Sequence, residues 1–113
     1  MTTVTLSVAS RKNVTERALS ALSGKNQGAH ITFASVELLW QTLTRKRWEI
    51  LQAITGKEAM SIRNVARLVK RDIKAVHGDI HALLDAGILN RTDKGMIEFP
   101  YDKVHVDFML KAA

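Results

Sequence analysis

The chain contains no cysteine. Disulfides, thiolate nucleophiles and thiolate metal sites are therefore excluded, and a reducing compartment suits it. No apolar run approaches the ~18 residues of a membrane-spanning helix. The N-terminal MTTVTLSVAS has no basic stretch ahead of an apolar one, so it does not read as a signal peptide. A cytoplasmic protein with no membrane partner is the expectation. Low-complexity tracts, internal repeats and linkers are absent too, and the single proline is Pro100. There is no Gly-rich phosphate loop, no Ser-His-Asp order with a supporting context and no convincing carboxylate pair. Asp102 and Asp107 flank the last strand candidate and are read as solvent-facing. Neither catalysis nor a cofactor is expected.

What remains is the stock of one small folded unit. Its 113 residues are 46% hydrophobic, enough to bury a core. The formal net charge is +6, from 17 Lys and Arg against 11 Asp and Glu. That charge is unevenly placed. Residues 44–74 hold nine bases and three acids, whereas residues 75–113 hold four bases and six acids. A polyanion would meet a positive field concentrated in the middle of the chain. Basic residues on helices are often no more than a solvated face, so their position decides.

Alternation through Val4, Leu6 and Val8 predicts a strand over Thr2–Ser7. Val14, Ala18, Leu19 and Leu22 form a helical stripe over residues 10–22, stopped by Ser23-Gly24. Ala29–Ala34 alternates again through Ile31 and Phe33. Ser35 caps a short helix carrying Val36, Leu39, Trp40 and Leu43. Thr44 caps the next, Arg45–Thr55, with Trp48, Leu51 and Ile54 inward and Gly56 closing it. Trp40 and Trp48, eight apart, are assigned to the core. Ser61 opens a helix with Ile62, Val65, Ala66 and Val69 inward. After the basic turn Lys70-Arg71-Asp72 comes a helix over Asp72–Ala86. Its inner stripe is Ile73, Val76, Ile80, Leu83 and Leu84, and Gly87 stops it. Ile88–Arg91 and Met96–Phe99 predict a hairpin whose Thr92-Asp93-Lys94-Gly95 connection suits a bulge. Val104, Val106, Phe108 and Leu110 predict a final strand.

From residue 44 the order is helix, helix, tight turn, helix, hairpin. In a winged helix-turn-helix the first helix of the motif braces the second, which enters a major groove about 12 Å wide. The second helix here has the needed polarity: opposite its apolar stripe lie Lys74, Ala75, His77, Gly78 and His81. Lys74 suits a phosphate or guanine acceptors, and the imidazoles suit base edges. Gly78, a poor helix former, would let the backbone approach DNA closely. Phosphate candidates are Thr44, Arg45, Lys46 and Arg47 at one helix N-terminus, Arg63, Arg67, Lys70 and Arg71 along the next helix and turn, and Arg91 and Lys94 on the hairpin. Some of these cations are expected to pair with Asp79, Asp85 or Glu49 instead.

The run from Met60 to Leu89, MSIRNVARLVKRDIKAVHGDIHALLDAGIL, resembles the helix-turn-helix of MarR-like and ArsR-like winged-helix regulators. Small prokaryotic winged-helix transcriptional regulators are closer still. The similarity takes in HITFAS (30–35), VELLWQTL (36–43), Leu43-Thr44-Arg45-Lys46-Arg47 and Pro100-Tyr101-Asp102. It spans roughly residues 29–110. Together with the elements read ahead of it, it leads to the expectation of an α+β winged helix-turn-helix over 44–113, including a C-terminal strand, with residues 1–43 as a strand-helix-strand-helix extension packed on the core. The resemblance also implies a homodimer on two-fold double-stranded DNA, and some regulators of this kind look like antitoxins encoded beside a toxin partner. Gly78 departs from the pattern, where a basic or polar residue is usual.

Two other readings compete. His77 and His81 are spaced to chelate a metal. With no cysteine and no third ligand evident, no metal site is assigned, and Gly78 stands where a zinc-protease motif needs Glu. His30 and His105, in strand candidates, are read as surface residues. The stronger rival is a protein interaction module, neutralising a toxin or serving assembly, with the terminal strands pairing across a dimer or docking on a partner. Such a module would replace Lys74 and its basic neighbours with apolar or acidic residues, which favours DNA here.

Overall fold

The computed structural model describes residues 2–8 and 29–107. The helix expected over 10–22, and Phe108 and Leu110 of the last strand, lie outside them. In chain order the described elements are β1 (Thr3–Val8), β2 (Ala29–Phe33), α1 (Val36–Thr42), α2 (Arg45–Ile54), α3 (Ile62–Val69), α4 (Ile73–Asp85), β3 (Asn90–Arg91), β4 (Ile97–Glu98) and β5 (Lys103–Asp107). The fold is α+β, four described helices with a small sheet and a hairpin.

The alternation at the two ends of the chain is resolved inside it. β1 is the middle of a three-stranded sheet, parallel to β2 on one side and β5 on the other. Leu6 stands level with Ile31 and with Val106. The period of two turns Val4 and Leu6 to one face, where both are fully buried. Thr5 stands level with the exposed His30 and His105 on the other face. Asp102 is exposed, as expected, and accepts from the Thr2 backbone N–H at 3.0 Å, which ties the start of β1 to the start of β5.

The helices begin where their capping residues stand. Ser35, Thr44 and Ser61 each accept from the backbone N–H three residues on, at 3.0, 3.3 and 3.1 Å. One cluster then forms the core. Leu51, Ile54, Val65 and Ile80 of the helices meet Val4, Leu6 and Phe33 of the sheet, with Ile97 and Phe99 of the hairpin.

Two apolar side chains do not go where periodicity places them. Trp40 is 57% exposed, because a helix as short as α1 buries one stripe, centred on Leu39, and Trp40 lies a further 100° round. Ile73 is 42% exposed, because it opens α4 beyond the reach of the core, while Val76, Ile80 and Leu83 behind it are fully buried. Trp48 is half-buried against the core.

The hairpin is shorter than expected. Ile88 and Leu89 donate their N–H groups back to the Leu83 carbonyl at the end of α4, so they are not free for strand pairing. β4 gains a neighbour instead: Met60, just ahead of α3, pairs with Ile97 through two hydrogen bonds of 3.0 and 2.7 Å. The turn is as expected. Thr92 N–H donates to Met96 O and Gly95 N–H to Thr92 O, with Gly95 at φ +79°, a backbone that costs glycine little. Among the described residues no helix is long and apolar enough to cross a membrane.

Candidate nucleic-acid interface

α4 has two unlike sides. Val76, Ile80 and Leu83 are buried in the core, and Asp72 caps the helix by accepting from the Lys74 N–H at 3.0 Å. Lys74, Ala75, His77 and Gly78 are exposed on the other side, and His81 is half-buried there. Apart from its chain neighbours and the backbone of its own helix, a methyl group added at Gly78 would find no atom within 4 Å. The middle of this face is therefore bare backbone, open to a large ligand. His77 and His81 hold their Nε2 atoms 3.1 Å apart, a contact in which one ring donates and the other accepts. Among the described residues no group of three His, Cys, Asp or Glu side chains could hold a metal ion.

Asp79 fastens this helix to its surroundings. Its Oδ2 accepts from Arg71 Nη2 at 2.7 Å and its Oδ1 from Arg47 Nε at 3.1 Å. The three side chains are only 17–23% exposed. Arg47 also donates to the Thr42 and Gln41 carbonyls at the end of α1. One carboxylate thus joins α1, the start of α2, the turn after α3 and the middle of α4. Burial pushes the Asp79 carboxyl up, but the hydrogen bonds and charges of Arg71 and Arg47 outweigh it and hold the group below its ordinary value of 3.8. The second terminal nitrogen of Arg71, Nη1, is buried and meets no hydrogen-bond partner among the described residues.

The remaining bases stay outside. Arg63, Arg67 and Lys70 are exposed and, with Arg71 and Ile73, line an open hollow of about 460 Å³ beside the start of α4. Lys70 takes the left-handed conformation at φ +55° in closing α3, which sets the tight turn into α4. Arg45 and Lys46 are exposed at the start of α2, where Arg45 reaches Glu49 at 3.4 Å and the Thr44 hydroxyl is occupied in capping. On the hairpin, Arg91 and Lys94 are exposed, with Arg91 folded toward the Gly95 carbonyl at 3.4 Å. The fold therefore gathers Arg63, Arg67 and Lys70 into one cationic hollow beside α4. It withdraws Arg47 and Arg71 into the Asp79 bracket.

One feature escaped the sequence reading. Leu39, Trp40, Leu43, Trp48 and Val106 line an apolar groove of about 560 Å³. Its signal was present in Leu38-Leu39-Trp40, more apolar surface than a seven-residue helix can bury.

A family model named HVO_A0114 matches residues 42–106, more than half of the chain. The chain belongs to the HVO_A0114 family. No curated protein and no solved structure matches it. The stretch shared with HVO_A0114 runs from the end of α1 into β5, so it takes in α2, α3, α4 and the hairpin; β1 and β2 lie outside it. The HVO_A0114 name carries no activity with it.

Proposed function

We propose that the chain is a winged helix-turn-helix regulator that binds double-stranded DNA, akin to the MarR-like and ArsR-like regulators it resembles. α3 and α4 form the helix-turn-helix, the β3–β4 hairpin is the wing, and binding rather than catalysis is the activity. A single observation carries this: α4 buries its aliphatic side and holds out an open, unobstructed face of Lys74, Ala75, His77, Gly78 and His81, with an exposed cationic hollow beside it.

On this reading α4 enters the major groove. Lys74 donates to a phosphate or to guanine O6 and N7, the imidazoles meet base edges, and bare Gly78 lets the backbone come close. Arg63, Arg67 and Lys70 meet one phosphate strand, and Arg91 and Lys94 meet the backbone beside the wing. Arg47 and Arg71 act as positioning residues, neutralising a carboxylate that would otherwise repel phosphates from the centre of α4.

Electrophoretic mobility shifts with a duplex selected from a random library test the reading. Lys74→Ala should weaken binding by about 1–3 kcal/mol if the lysine reads a base. Arg67→Ala should lower the slope of log K against log salt by about 0.9. Unchanged binding in both variants would remove α4 and the hollow as the interface.

A further inference from the structure

We propose that β5 is a homodimer interface, at which two copies of the chain pair their β5 strands antiparallel about a two-fold axis through His105. The proposal stands independently of the DNA reading.

Four observations carry it. First, β5 is an edge strand, and among the described residues no strand pairs with its outer side. Second, the backbone phase is right. Lys103 N–H donates to the Thr2 carbonyl, so Lys103, His105 and Asp107 direct their hydrogen-bonding groups at β1. Val104 and Val106 then direct theirs outward, and an antiparallel copy would meet Val104 with the partner's Val106 in hydrogen-bonded pairs.

Third, the charges are self-complementary. The strand reads Lys-Val-His-Val-Asp. In the register centred on His105, Lys103 faces the partner's Asp107, and Asp107 faces the partner's Lys103. Both couples fall at non-hydrogen-bonded positions, where cross-strand side chains come closest. A two-fold contact must be self-complementary in this way. Fourth, Val106 is 37% exposed and lines the apolar groove with Trp40 and Trp48. The partner's Val104, laid beside Val106, would extend apolar cover over that groove. The result joins the six described strands of two copies in one sheet, in which two β5 edges become one protected centre.

Light scattering and sedimentation on the full chain test this, with circular dichroism to confirm folding. The wild type should be a dimer at micromolar concentration. K103D gives Asp facing Asp twice, and D107K gives Lys facing Lys twice. Each should weaken the dimer by roughly tenfold or more. Mixed in equal amounts, the two variants should form a heterodimer, because both cross-strand couples are then opposite in charge. The double variant K103D/D107K should form a homodimer again, and it carries the test if a single variant fails to fold. A monomeric wild type, single variants as tightly dimeric as the wild type, or no recovery in the mixture and the double variant would each overturn the proposal.

Discussion

A carboxylate set between two guanidiniums holds its place only while it keeps its charge. Asp79→Ala would leave Arg47 and Arg71, both largely enclosed, without a counter-charge. The expected loss is about 2–4 kcal/mol in urea denaturation, since removing one partner of an enclosed pair costs more than the pair contributes. The pH dependence follows from the same bracket. The folded carboxyl titrates below its ordinary 3.8, held down by the two arginines against the opposing effect of burial. Its contribution is therefore complete above about pH 4 and is lost as pH falls through the lower, folded value. Stability measured from neutral pH down into that acid range should fall in the wild type, and less steeply in Asp79→Ala. Lys70 gives a second expectation at this scale. As a lysine at φ +55°, it carries a backbone cost that glycine would not. Lys70→Gly should raise the melting temperature or leave it unchanged while weakening DNA binding. Two readouts moving in those directions separate a strained turn from a phosphate contact, and a clear drop in melting temperature would count against the strain.

At the scale of the element, α4 shows what a sequence can reveal. Its boundaries, its cap and three of its inner residues follow from a period of 3.6 and from Asp72 and Gly87. The caps at Ser35, Thr44 and Ser61 and the bulged hairpin turn were equally legible, because each depends on local chemistry. Trp40, Ile73 and the short hairpin were not. Helical spacing names a face, but only packing decides how far along the helix that face is covered, and Ile88 and Leu89 were taken by the end of α4. For the candidate interface, sequence reading found which residues are basic and which side of α4 is polar. It allowed that some cations would pair with acids, yet it could not say that Arg47 and Arg71 would share Asp79 while Arg63 and Arg67 stayed outside, since those contacts span up to 32 positions. Gly78 tests the element directly. An added methyl meets nothing, so Gly78→Ala should stabilise the fold by about 0.5–1 kcal/mol through helix propensity alone. If the α4 backbone closes on DNA, the same variant should bind DNA less tightly although it melts higher. A variant that melts higher and binds as well as the wild type would place the backbone away from the groove.

Across the whole molecule, the parallel sheet and the concentrated charge lie in different segments. The strands that close the sheet come from the two ends of the chain, and β1 joins them through fully buried Val4 and Leu6. The cations sit on the helical segment between, whose residues 44–74 carry nine bases. A change to one should therefore leave the other standing. Leu6→Ala removes a fully buried side chain from the middle strand and should cost about 2–5 kcal/mol by thermal or urea denaturation. At temperatures where that variant is still folded, its DNA affinity and salt slope should match the wild type. Arg63→Ala combined with Arg67→Ala should do the reverse. Both side chains are exposed and neither belongs to the Asp79 bracket, so the melting temperature should stay nearly constant. The slope of log K against log salt should meanwhile fall by about 2, because two phosphate neutralisations are lost. The two variants form a crossed pair, and it fails if Leu6→Ala alters the salt slope or if the double arginine variant binds DNA with the wild-type slope. The second failure would mean that the concentrated positive charge is a solvated face and that some other surface makes the contact.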